Sequence, residues 1–187
     1  NEKDTRNNMM NFVQTLKKVD IDIEHKKALN YWKNFLYSHD TLKLKDDGTE
    51  YMKKIIDIYK RTILFIPFLI NEDTAGISAT LEVDEERDEC GRYSYCWPRD
   101  AIMMYSYFDV LNFDNYSSKY YEIFLRNTQL LDGLWEQRYF TDCTLAPCWG
   151  YQIDETAMVV WGAYKHYLNY LKKFGSGDDT FLLQNID

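Results

Sequence analysis

Two stretches of the chain carry residue types able to recognise a hydroxyl-rich ligand. The first runs Tyr93-Ser94-Tyr95-Cys96-Trp97-Pro98-Arg99-Asp100, where three rings alternate before a cation and an anion at the foot of an apolar helical stripe. Aromatic faces suit the CH side of a sugar, while a guanidinium donates to its hydroxyls and a carboxylate accepts from them. The second runs Gly133-Leu134-Trp135-Glu136-Gln137-Arg138-Tyr139 and continues at Ala146-Pro147-Cys148-Trp149-Gly150-Tyr151-Gln152-Ile153-Asp154-Glu155-Thr156-Ala157. It too ends in a tryptophan and carboxylates at a helix start. A purely local reading makes Asp100 and Asp154 helix N-caps, worth about 1 kcal/mol each. Trp97 is then core, Arg99 pairs with Asp100, and Glu155 is a first-turn charge facing the helix dipole. The same device used twice, each time feeding a helix, is how a ring of helix hairpins builds a pocket at one end.

The elements that must hold these loops read as helices almost throughout. Met9, Phe12, Val13 and Leu16 form one stripe, and Ala28, Trp32, Phe35 and Leu36 a second. After the turn Asp46-Asp47-Gly48-Thr49 a third runs Met52, Ile55, Ile56, Tyr59, Ile63 and Ile66, with Pro67 kinking it or marking its last turn. Residues 72–98 read as a long irregular loop with a brief strand-like stretch at Ile77–Val83 and a solvated acidic run at Asp84–Glu89. A fourth helix opens at Asp100 with Ala101, Met104, Tyr105, Phe108 and Leu111 on one face, and a fifth spans about Ser117–Leu131, carrying Tyr120, Phe124 and Leu131. A second irregular stretch, 132–153, precedes a last helix from Asp154 that carries Ala157, Val160, Trp161, Tyr164, Leu168 and Leu171 and stops at Gly175 behind Lys172 and Lys173. The expected fold is all-α, with antiparallel helix hairpins and long irregular loops. Residues 1–45 read as leading helices or a linker, and 46–187 as the domain proper.

Composition agrees with a packed helical chain. Of 187 residues 17% are aromatic, while Gly and Pro number only 8 and 3, which excludes disorder, collagen-like repeats and disulfide knots. A net charge of −8 argues against nucleic acid and anionic membrane as partners. The longest apolar run, Ile63–Ile70, is broken by Pro67 and far shorter than the roughly 20 residues of a membrane helix. Cys90, Cys96, Cys143 and Cys148 lack CxxC spacing and neighbouring histidines, so they read as free thiols of a reducing compartment, without a metal. That makes the cytoplasm the expected location, with secretion of a longer parent still open. No Gly-rich phosphate loop, HExxH or GxSxG occurs, and no cofactor is expected.

With these residues in view, Tyr93-x-Tyr95-x-Trp97-x-Arg99-Asp100 resembles the aromatic–Trp-x-Arg-Asp signature of glycoside hydrolase family 15, the family of glucoamylases, glucodextranases and some trehalases. Trp149-Gly150-x-Gln152-x-Asp154-x-x-Ala157 resembles its second signature. Gly133-x-Trp135-x-Gln137-Arg138-Tyr139 resembles the run that bacterial members carry before it. The resemblance covers roughly residues 50–175 in the family's order. It implies an (α/α)6 toroid of twelve helices, of which this chain would be the first part. It implies that Arg99 and Asp100 hold hydroxyls of a terminal glucose, that Tyr93 lies against the ring, and that Trp97 and Trp149 wall the site. Arg138, Gln152 and Asp154 would orient those groups.

Inverting glycosidases use two carboxyls about 6.5–9.5 Å apart. The resemblance puts both glutamates after the second signature, beyond this chain, which is therefore expected to be an inactive piece of a longer enzyme. No catalytic residue is assigned within it. Leu134-Trp135-Glu136 mimics the family's Leu-Trp-Glu acid segment but precedes Trp149 instead of following it, so Glu136 is the lesser alternative and reads first as a polar neighbour. The leading expectation is a fragment of an enzyme acting on terminal α-linked glucose, with an oligosaccharide or glucoside as ligand. The alternative is a non-catalytic carbohydrate-binding or regulatory relative, and a plain helical module comes third. An open arc of helices would leave apolar faces exposed, so a homodimer or swapped oligomer is also expected.

Overall fold

Every apolar stripe becomes a helix. The computed structural model describes residues 2–37, 44–81, 93–147 and 150–175. Its elements are α1 (Glu2–Leu16), α2 (Ile21–Tyr37), α3 (Glu50–Phe65), α4 (Pro98–Val110), α5 (Asp114–Lys119), α6 (Arg126–Thr128) and α7 (Ile153–Phe174). A 3-10 turn at Ile66–Leu69 follows α3, and a π-helical turn at Tyr120–Leu125 joins α5 to α6. Among the described residues only isolated β-bridges accompany the helices, so the fold is all-α. None of these helices is long and apolar enough to cross a membrane.

The chain divides into two compact units, Asn1–Ser38 and His39–Asp187. In the first, Asp20 starts α2 by accepting the N–H groups of Asp22 and Ile23 at 3.0 and 3.2 Å. Trp32 packs edge-on against Tyr31 and Phe35, and Leu36 is buried, while Met9, Phe12, Val13 and Leu16 of α1 stay exposed.

In the second unit Thr49 caps α3, its hydroxyl accepting the Met52 N–H at 3.1 Å. Pro67 falls in the 3-10 turn, where its missing N–H costs nothing. The stretch after it is not the strand that Ile77–Val83 suggested. Among its described residues Ile77 alone forms a bridge, with Ile70 across the turn that Asn71 makes by accepting the N–H groups of Asp73 and Thr74, and the Ala79 N–H then leaves that partner for the Tyr95 carbonyl. Val83 lies outside the described residues, with the acidic run Asp84–Glu89. The turn is tied inward at Ala75, whose carbonyl accepts from the Tyr105 hydroxyl. Gly76 lies so close to the Phe124 ring and the Thr141 carbonyl that a methyl group there would overlap both.

α4 and the run 114–128 form an antiparallel hairpin. Phe108 meets Phe113 and Tyr116, and Tyr105 stacks on Tyr120 at 4.2 Å, which in turn stacks on Phe124. These rings fill the core with Ile102 and Ala101. The sequence suggested one helix over Ser117–Leu131. Instead the helical run starts at Asp114, takes a π turn and stops at Thr128, where Gln129 turns extended. Leu131, expected on its face, is fully exposed in the following turn.

α7 packs on α4 in parallel. Arg99 meets Asp154 at one end, Ile102 lies under Gly162 in the middle, and Asp109 meets His166 further along. A Cβ on Gly162 would come within 2.6 Å of Ile102 side-chain atoms, so glycine is what lets the two helices approach this closely. The N-termini of α4 and α7 therefore stand side by side, and the two irregular stretches lead into them.

Candidate functional site

The site is built where those N-termini meet. Trp97, not Asp100, occupies the N-cap of α4, and Gln152, not Asp154, that of α7; neither makes a side-chain cap bond. Pro98 sets the first helical position, which moves Asp100 into the first turn. Both aspartates are thus released from the capping role suggested by their position in the sequence, and both turn to Arg99.

Arg99 Nη1 bonds Asp154 Oδ2 at 2.7 Å, and Nη2 reaches Asp100 Oδ2 at 3.2 Å. Glu155 approaches from beneath. Its Oε2 accepts the Arg99 backbone N–H at 2.6 Å, and its Oε1 lies 3.3 Å from Nη1. One guanidinium thus faces three carboxyls. Arg99 and the two aspartates are partly open to solvent, with side chains 37%, 51% and 57% exposed, whereas Glu155 is wholly buried. The Arg99 bond holds the Asp154 carboxyl below the usual carboxylate range. Burial does the opposite to Glu155, lifting its carboxyl from 4.5 to about 7; Arg99 offsets part of that rise, and Asp100 and Asp154 add to it.

An aromatic shelf adjoins the cluster. Tyr93 is exposed and lies 6.0 Å from Trp97, with their planes 36° apart, while Tyr95 meets Trp97 edge-on at 5.9 Å and is buried against Phe140. Behind the shelf Arg138 is buried, its guanidinium 5.1 Å from the Tyr95 ring centre and 5.7 Å from that of Trp97. Its Nε donates to the Pro147 carbonyl at 2.5 Å. Cation–π contact of this kind fixes the tilt of a ring from its hidden face.

Backbone pairing joins the two loops. Cys96 and Tyr139 exchange N–H···O bonds at 2.8 and 2.9 Å, and Tyr139 pairs again with Leu145. The Tyr139 hydroxyl donates to Thr128 O at 2.9 Å, Trp135 Nε1 donates to Leu125 O at 3.0 Å, and the Trp135 N–H donates to Thr156 on α7 at 3.1 Å. The 132–147 stretch is therefore clamped to α6, to α7 and to the strip just before α4.

The residues expected at the site fall into two groups, Arg99 with Asp100 and Asp154, and Tyr93 with Trp97 and Arg138, which the chain joins through Trp97-Pro98-Arg99. Gln152 is half-buried at the α7 start, its carbonyl accepting the Glu155 N–H at 3.1 Å. Trp149 lies outside the described residues, as do Cys90 and Cys148. Glu136 is half-buried beyond Trp135, its backbone N–H directed at the Tyr139 hydroxyl; the charge of Asp132, with a smaller contribution from Glu136, raises the Tyr151 phenol's affinity for its proton. Cys96 is buried and free, and burial pushes its thiol well up. Among the described residues no group of three His, Cys, Asp or Glu side chains is placed to hold a metal ion.

Two features were not legible as site residues. Glu155 read as a first-turn charge, yet it is the one carboxyl at the cluster closed off from water. The second is a buried pair on the same α4–α7 seam, His166 Nδ1 and Asp109 Oδ1 at 2.8 Å, with Tyr121 stacked on the imidazole at 4.5 Å. His166 falls opposite the apolar stripe of α7, on the buried face with Glu155, Val159 and Gly162, and nothing near it in the sequence pointed to its acidic partner.

Fold and site together define an all-α protein with an arginine–carboxylate cluster and an aromatic shelf at the paired N-termini of two parallel helices. The chain matches no family model, no curated protein and no solved structure.

Proposed function

We infer that this chain is the glucose-binding part of a family-15-like glycoside hydrolase, acting on terminal α-linked glucose with inversion. The observation that carries this reading is the Arg99–Asp154 bond. It joins the two segments that resemble the family's two signatures, although 55 residues separate them in the chain. The chemistry fits as well. A ring of Tyr93 or Trp97 covers one face of a sugar, and the remaining Arg99 donors and the exposed Asp100 carboxylate serve its hydroxyls. Parallel α4 and α7, joined through an antiparallel run, are also compatible with the helix hairpins that the resemblance implies for an (α/α)6 toroid.

A second reading is a non-catalytic sugar-binding relative; the engagement of Asp100, Asp154 and Glu155 with Arg99 fits a binding role for these carboxyls under either reading.

Titration of glucose, maltose and an acarbose-like ligand, followed by tryptophan fluorescence, tests both. Asp100→Asn and Tyr93→Ala, the latter at an exposed position, should each weaken binding about tenfold, near 1.4 kcal/mol. Binding unchanged in both variants sinks the sugar-site reading. Glucose release from maltose by the chain itself would overturn the non-catalytic alternative.

A further inference from the structure

Glu155 has no direct place in sugar binding as set out above, yet it is the residue on which Arg99 rests. Its side chain is wholly buried, one oxygen accepts the Arg99 backbone N–H at 2.6 Å, and the other has no hydrogen-bond partner. That second oxygen lies 3.3 Å from Nη1 of the guanidinium, an ion-pair contact without a hydrogen bond. A buried polar atom left without a hydrogen bond is costly and normally has a reason. Nη1 carries two protons, and Asp154 takes one of them. An ionised Glu155 claims the second; a protonated Glu155 leaves it free to a ligand.

We propose that Glu155 is a positioning residue that holds Arg99 from beneath, and that its proton decides how much of the Arg99 guanidinium is left for a hydroxyl-bearing ligand. The groups facing it are Arg99 and Asp100 from α4, Asp154 from its own helix, Cys96 from the strip before α4 and Tyr120 from the π turn. Burial keeps Cys96 and Tyr120 neutral. Arg99 is held charged by its Asp154 bond, and Asp154 is held ionised by the same bond. Glu155 is thus the member of the cluster whose charge changes in the neutral range, in line with its value of about 7. Ionising it takes the cluster from one excess negative charge to two and draws the guanidinium inward, so ligand affinity falls as pH rises. By reciprocity, a ligand that engages Arg99 favours the proton on Glu155.

The ligand in this proposal rests on the sugar-site reading; the Glu155–Arg99 coupling does not, and the experiment separates them. Maltose affinity is measured by fluorescence on the full chain from about pH 5.5 to about pH 8.5, with Glu155→Gln and Glu155→Ala alongside. The amide of Gln keeps an acceptor for the Arg99 N–H without the charge; Ala removes both. The wild-type chain should bind roughly fivefold more weakly at the alkaline end. Glu155→Gln should keep the acid-end affinity throughout, and Glu155→Ala should bind weakly at every pH. A Gln variant with the wild-type profile overturns the proposal. In parallel, nitrogen NMR of Arg99 without ligand should show guanidinium and backbone signals moving across this range in the wild-type chain. Should maltose fail to bind at any pH, the sugar reading falls and the Arg99 signals alone decide. If those signals do not move with pH, the Glu155 proposal falls too.

Discussion

Replacing Glu155 by Gln should leave stability nearly unchanged in mild acid and raise it in mild base. The magnitude follows from burial. The carboxyl moves from 4.5 to about 7 on folding, and each unit corresponds to about 1.4 kcal/mol, so the effect reaches about 3 kcal/mol. The sign follows from the direction of the shift. A carboxyl whose folded value is raised contributes stability that is fully present below its unfolded value. That contribution drains away as pH climbs from 4.5 through about 7. Asp47, Asp142 and Asp154 are shifted downward instead, so their contributions disappear only below the ordinary 3.8 and leave this window clear. The assay is urea unfolding of both chains at several pH values from about 5 to about 8, followed by tryptophan fluorescence and far-UV circular dichroism. The difference between the two stability curves should open by about 3 kcal/mol towards alkaline pH. Curves that stay parallel would mean that Glu155 is ionised throughout and that Arg99 fully compensates its burial, which refutes the reasoning.

Gly162→Ala should destabilise the chain by about 1–3 kcal/mol, because its methyl group meets the fully buried Ile102, which has no room to yield. Thermal unfolding measures this, and Ile102→Val should partly relieve the loss. Sedimentation should show self-association at micromolar concentration through the apolar stripe of α7, where Ile153, Val160, Trp161, Tyr164 and Leu168 are 38–88% exposed. Tyr164→Glu should return the chain to monomer, whereas a wild-type chain that is already monomeric counts against association through this face.

Helical spacing revealed the helices, and on α3 and α4 it also revealed the face that packs; on α7 the apolar stripe of Val160, Trp161, Tyr164 and Leu168 is exposed, and the opposite face of Glu155, Val159, Gly162 and His166 is the buried one. Ile55, Tyr59 and Ile63 on α3, and Ala101, Tyr105 and Phe108 on α4, announce themselves without knowledge of their partners. The end of α7 was equally clear, since Gly175 takes a positive φ of 89° just after Lys172 and Lys173. The beginnings of the site helices were not. An aspartate near a helix start reads as a cap by local rules, but Pro98 moves the start of α4 upstream and frees Asp100 for Arg99. Glu155 was hidden for a different reason. Its burial comes from a helix 56 residues away in sequence, and no local pattern separates it from a solvated first-turn acid. The clustering of Tyr93, Trp97, Arg99 and Asp100 could be seen because those residues are neighbours in the chain. The arrival of Asp154 beside them is a property of the parallel α4–α7 packing.

The π turn at Tyr120–Leu125 has a bearing on how this helical layer could change over time. One extra residue in the turn lets adjacent side chains serve different neighbours: Tyr120 stacks on Tyr105 of α4, and Tyr121 stacks on His166 of α7. Deleting a single residue there would restore a regular helix but rotate everything beyond it by about 100°. The segment would then keep one of its two partners and lose the other. An insertion of this kind, once made, is locked in place by two separate seams, and length variation in relatives of this chain should fall in the loops on either side of it.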